Sequence, residues 1–161
     1  MKTALIFVMA LFLCPISFAE TGVSLKFKLS PVGDFTAKSK DVQGLAFEKG
    51  SEVYAENIIV PVKSLSTGID LRDEHMKNKY LDIKKFPEVK LIKAKGSAGK
   101  GKALLEIKGI KKIVSGTYKV DNKELTAQFS LKLSDYKISG IKYLGVGVND
   151  EIKIEVTVPV K

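Results

Sequence analysis

The stretch ELTAQFSLKL, residues 124–133, decides the fold class. Leu125, Ala127, Phe129, Leu131 and Leu133 fall on one side, and Thr126, Gln128, Ser130 and Lys132 on the other. A period of two puts every second side chain on the same face of an extended chain, so this stretch predicts a strand with one wet face and one dry face. VSLKFKL at 23–29 repeats the pattern with Val23, Leu25, Phe27 and Leu29. EIKIEVTVPV at 151–160 repeats it with Ile152, Ile154, Val156, Val158 and Val160, and Pro159 falls on the wet face near the end, where a missing N–H does least harm.

Further strands are predicted over about 41–47, 53–62, 88–95, 102–108, 112–120 and 141–148. The glycine-rich KGSAGKGK at 95–102 reads as a hairpin turn between two of them. It has no G-K-[ST] and no helical pattern follows it, so it is not a phosphate-cradling loop. Eight or nine strands with one short helical insert predict an all-β, mostly antiparallel fold, either an up-and-down barrel or a two-sheet sandwich. A barrel of about eight strands is filled by side chains or holds one small ligand. No inward His or carboxylate pair interrupts the three best strands.

The N-terminus reads as a secretory signal peptide over 1–19, with Lys2, an apolar run at 4–13, and Ser17-Phe18-Ala19 before the cut. Leu13 precedes Cys14 where a lipid-attachment motif wants a small residue, so no lipid anchor is expected. Residues 20–161 then form one domain, without cysteine although bound for an oxidising compartment, the periplasm. The net charge is +9, of which Lys2 supplies one. All basic residues except Arg72 are lysines, and they are spread along the chain. Base readout leans on the bidentate arginine fork, so no nucleic-acid partner is expected. Peripheral contact with an anionic membrane surface stays open, as does the oligomeric state, a dimer included.

DLRDEHMKNKYLDIKKFPEV at 70–89 holds the single His and single Arg of the chain. Asp70 reads as the N-cap of a helix over 71–80, with Asp73 and Glu74 near the positive end of its dipole and Lys77 and Lys79 toward the negative end. Leu71, Met76 and Tyr80 are expected to share its buried side. Asp82 reads as the cap of a further turn. Pro87 ends the segment and pushes Phe86 toward extended geometry. Catalysis has little material here. His75 is the only imidazole, no G-x-S-x-G elbow exists, and a catalytic zinc site wants two or three His or Cys ligands. Asp70, Asp73 and Glu74 lack EF-hand spacing. His75 therefore reads as structural or ligand-gating, and neither enzyme activity, metal nor cofactor is expected.

SLSTGIDLRDEHMKNKYLDIKKFPEVKL at 64–91 also closely resembles the signature of the YceI-like family. The matching residues are Ser64, Leu65, Thr67, Gly68, Arg72, Asp73, His75, Met76, Lys77, Tyr80, Leu81, Asp82, Phe86 and Pro87. LLEIKGIKKIV at 104–114, LSDYKI at 133–138 and VGVNDEIKIEV at 146–156 resemble later family segments, so the likeness covers most of residues 20–161. The family's usual aromatic–Asp–x–x–His/Ser opening is missing, which implies a short first strand and a more open barrel edge.

The resemblance implies an extended, lipocalin-like antiparallel barrel in the bacterial periplasm that holds a long apolar molecule, typically a polyisoprenoid or isoprenoid quinone. The wall candidates are then Leu25, Phe27, Ile58, Val60, Leu105, Ile107, Phe129, Leu131, Ile154 and Val156. Residues 70–87 become a clasp at the mouth, with Arg72, Asp73, His75, Met76, Tyr80 and Phe86. Plain core packing is the competing role for each wall residue. The competing function is a surface interaction protein with a filled barrel whose lysines meet anionic envelope components.

Overall fold

The computed structural model describes residues 21–31, 33–143 and 145–161. The predicted signal peptide lies outside them. The strands are β1 (Gly22–Ser30), β2 (Asp34–Ser39), β3 (Ala46–Lys49), β4 (Glu52–Pro61), β5 (Glu88–Ser97), β6 (Lys100–Ile107), β7 (Ile110–Asp121), β8 (Glu124–Lys132), β9 (Lys142–Tyr143), β10 (Val146–Val148) and β11 (Glu151–Pro159). Among the described residues one α-helix, α1, runs Asp70–Glu74 and continues as a wider π turn over His75–Tyr80.

The sheet is antiparallel, in the order β3-β4-β5-β6-β7-β8-β11-β1-β10-β9, with β2 also paired to β1. It curls into a barrel because residues 34–49 change partners. Their first half pairs with β1, from Lys28↔Asp34 to Val23↔Ser39. Then Lys38 and Ser66 exchange backbone hydrogen bonds of 2.8 and 2.9 Å, and Gln43 and Ile59 exchange two of 2.9 Å. Finally β3 pairs with β4. The circuit β1, β2/β3, β4 to β8, β11 and back to β1 leaves few free edges, the usual protection against edge-to-edge association. At the far end Lys161 donates its N–H to the Ala46 carbonyl at 2.9 Å.

The three strongest alternations become β1, β8 and β11, which lie side by side. Ile154 pairs with Phe129 and with Leu25, so their inward rows share one wall. The predicted hairpin at 95–102 is present. Ala98 and Gly99 have φ of 49° and 75°, the two positive values a tight hairpin turn needs.

Several expectations are corrected. The first strand is not short and its edge is not open: β1 has nine residues and pairs with both β11 and β2. β2 was not predicted. Its inward row is Phe35, Ala37 and Ser39, and the polar Ser39 hides the pattern. Ser39 is buried because its hydroxyl shares a 2.7 Å hydrogen bond with that of Ser64. The strand expected over 41–47 lies at 46–49 instead, with a single bridge at Gln43. Asp70 does not cap the helix; Ile69 occupies the N-cap and makes no side-chain cap bond. Asp82 has a φ of 52°, and it accepts from the N–H groups of Lys85 and Phe86 through its backbone carbonyl.

Candidate functional site

A cavity of about 150 Å3 occupies the half of the barrel beneath α1. Leu25 and Phe27 reach it from β1, Ile58 and Val60 from β4, and Leu105 and Ile107 from β6. Phe129 and Leu131 reach it from β8, and Ile154 and Val156 from β11. Each sits at an inward position of its strand, so the period-two pattern alone brings all ten together. The lining is overwhelmingly carbon, which favours an apolar occupant.

The roof is α1 with its π turn. Arg72, Met76 and Tyr80, four residues apart, share the face turned to the cavity, and the exposed His75 borders it too. Leu71 was expected on that face and is 59% exposed instead. Five positions along an α-helix do not return to the same side, and the π turn begins only at His75. Arg72 takes the inward place. Its guanidinium lies 4.2 Å from the centroid of the Phe35 ring, and Phe35 stacks on Phe27 at 4.7 Å and 8°. This stack ties the roof to β1 and β2.

Asp73 and Phe86 do not line the cavity. Asp73, 9% exposed, is the pin of the roof. One carboxylate oxygen accepts from the Ser66 hydroxyl at 2.6 Å, and the other from the Thr67 hydroxyl at 2.6 Å and the Thr67 N–H at 2.7 Å. Ser66 itself is bridged to Lys38, so the pin reaches the barrel seam. Burial alone would raise the Asp73 pKa. The hydrogen bonds from Ser66 and Thr67, helped by Lys77, outweigh it and hold the carboxyl below its ordinary value. Phe86 packs over Gly109 in the β6–β7 turn, where an added Cβ would lie 3.1 Å from its ring.

The end of the cavity beside the roof is closed by a turn that the sequence reading did not assign to the site. Residues Leu133–Tyr136 form a 3-10 turn held by Asp150, whose carboxylate accepts from the Ser134 N–H at 2.8 Å and hydroxyl at 2.6 Å. Leu133, Tyr136 and Ile138 point inward from it. Their spacing of three and then two keeps no single period, so no pattern in the sequence marks them as one set. Tyr136 is 1% exposed, and its hydroxyl has no hydrogen-bond partner among the described residues. Burial, then the neighbouring Asp135, pushes its pKa up. An unpaired buried hydroxyl costs about 1–3 kcal/mol. Tyr136→Phe is therefore expected to leave stability unchanged or raise it by about 1 kcal/mol in urea unfolding.

Among the described residues, no group of three or more His, Cys, Asp or Glu could hold a metal ion. No curated protein matches the chain by sequence. Solved structures do resemble it. BcnA of Burkholderia cenocepacia has a TM-score of 0.65 at 18% identity, covering 85% of this chain and 94% of its own. A polyisoprenoid binding domain from Saccharophagus degradans, implicated in plant cell wall breakdown, has a TM-score of 0.60 at 11% identity, covering 86% and 92%. The YCEI protein of Campylobacter jejuni has a TM-score of 0.58 at 19% identity, covering 100% and 99%. At these identities the likeness is one of fold. The model of the YceI-like domain matches residues 16–160. The stretch at 64–91, the curled antiparallel barrel and this match agree, and the chain belongs to the YceI-like domain family.

Proposed function

We propose that the protein carries a long apolar lipid, a polyisoprenoid or an isoprenoid quinone, inside its barrel, and that it does so in the periplasm after removal of residues 1–19. The carrying observation is the carbon-lined cavity under a pinned roof. A core meant only for stability packs to crystal-like density and leaves little space. Here inward side chains from β1, β4, β6, β8 and β11 line a cavity instead. The polyisoprenoid binding domain of similar fold supports the choice of ligand. The apolar lining supplies the affinity. Burying ten methylene equivalents at about 0.8 kcal/mol each gives about 8 kcal/mol gross, before ordering costs. A longer isoprenoid gains more.

Phe129→Trp tests this reading. The chain has no tryptophan, so the new side chain is also the only indole reporter. The variant is expected to fold and to take up added polyprenol at least about tenfold less well, because the larger ring occupies ligand space. Unchanged uptake with unchanged indole emission would place the lipid elsewhere. The lysine-rich exterior supports a second mode, contact with anionic envelope components. That binding would weaken steeply with salt, whereas tail burial would not.

A further inference from the structure

A second cavity, of about 90 Å3, lies in the opposite half of the barrel. The strand registers fix its place. The first cavity sits where Pro61 faces Glu88 and Ile107 faces Ile110, beneath α1. The second is walled by Val53, Gly96, Gly101, Gly116, Leu125 and Val158, toward the β3–β4, β5–β6 and β7–β8 turns. The two share four lining residues, Ile58, Leu91, Phe129 and Val156. They are therefore neighbours along the barrel, with those four side chains between them.

The partition comes from opposite walls. Ile58 and Leu91 are cross-strand partners in β4 and β5, beside a register break at Leu91/Lys93 and the positive φ of 52° at Asn57. Phe129 and Val156 come from β8 and β11, which stand across the circuit from β4 and β5. Beyond the partition, the inward rows turn small. Ala55 pairs with Ala94 and Ala94 with Ala103; Gly96 pairs with Gly101 and Gly101 with Gly116. The alanine row runs on to Val114 in β7 and the glycine row starts from Val53 in β4, so only the middle of this wall, in β5 and β6, is free of side chains longer than a methyl group, and there the space remains. Tyr118 lies across Gly96, where an added Cβ would come within 2.4 Å of its ring.

We infer that the second cavity is an inner chamber for the far end of the lipid tail, and that the Ile58–Leu91–Phe129–Val156 pinch sets tail-length preference. A short tail ends in the outer chamber. A long tail gains the inner chamber as well, by displacing the partition side chains rather than the backbone. The inference rests on the carrier reading above, and its ligand class is a long isoprenoid chain.

The test compares farnesol, a short isoprenoid alcohol, with solanesol, a long one, by native mass spectrometry and by displacement of a fluorescent lipid. Ala103→Leu fills the inner chamber and leaves the outer one alone. Excluding a pair of methylenes from burial weakens binding by about tenfold. Ala103→Leu is therefore expected to lose solanesol affinity by about that factor or more and to keep farnesol within about twofold. Ala94→Val, which fills the same space more gently, is the second variant should Ala103→Leu misfold. Phe129→Ala is expected to shift the preference toward solanesol. Equal losses for both lipids, or none for solanesol in a folded variant, would overturn the inner chamber while leaving the carrier reading intact. A native protein that binds neither lipid would overturn both.

Discussion

Gly116→Ala is expected to destabilise the protein by roughly 3 kcal/mol, the upper end of the usual range for forcing an extra methyl group into a packed site. Gly116 in β7 pairs with Phe129 in β8. A Cβ at this position would lie 2.3 Å from the Gln128 carbonyl oxygen and 2.8 Å from the Phe129 Cβ. The first of these is backbone, so no rotamer change relieves the clash. β7 and β8 would have to part at the edge of the partition between the chambers. Gly147→Ala is the control. An added Cβ there meets nothing within 4 Å among the described residues, so its stability in urea should match the parent to within about 0.5 kcal/mol. Equal stability for the two variants would mean that β7 and β8 do not approach each other in this way.

The second large effect is expected from Asp73→Ala, which removes three hydrogen bonds to one charged acceptor. Bonds to charged groups contribute about 1.5–3 kcal/mol each and do not add fully, so a loss of roughly 3 kcal/mol is expected. It should be local. Amide exchange should quicken over 69–81 while β5 to β8 keep their protection, because the pin joins the roof to Ser66 and Thr67 and not to those strands. The pH dependence has a definite sign. The Asp73 pKa is lower in the folded protein than in the unfolded chain, so the contribution is full above the unfolded value. It is lost as pH falls through the folded value. Acid should therefore loosen the roof of the parent protein and have no such effect on Asp73→Ala.

The parts of the fold legible in the sequence are those in which one periodicity governs a whole element. β8 and β11 could be read residue by residue, and the ten wall candidates all reach the cavity because each occupies an inward slot of an alternating strand. The charged stretch was legible as a short helical insert, but not in its mechanics. Asp73 works through the side chain and N–H of Thr67 and through Ser66, a tertiary arrangement that a capping pattern does not encode. Met76 and Tyr80 could be read from their spacing of four, whereas the exchange of Arg72 for Leu71 on the inward face could not. β2 was hidden by Ser39, whose partner Ser64 lies 25 residues away. The inner chamber was invisible for another reason. Alanine and glycine at inward positions read as weak strand residues, and only the register shows that Ala55, Ala94 and Ala103 lie side by side.

The central claim is that the barrel holds a lipid. Native mass spectrometry of the protein, purified without detergent from the cells that make it, tests this most directly when the same sample is extracted with organic solvent. The account predicts a discrete adduct whose mass matches an isoprenoid in the extract. A bare protein mass, together with no uptake of added polyprenol or isoprenoid quinone, would contradict it.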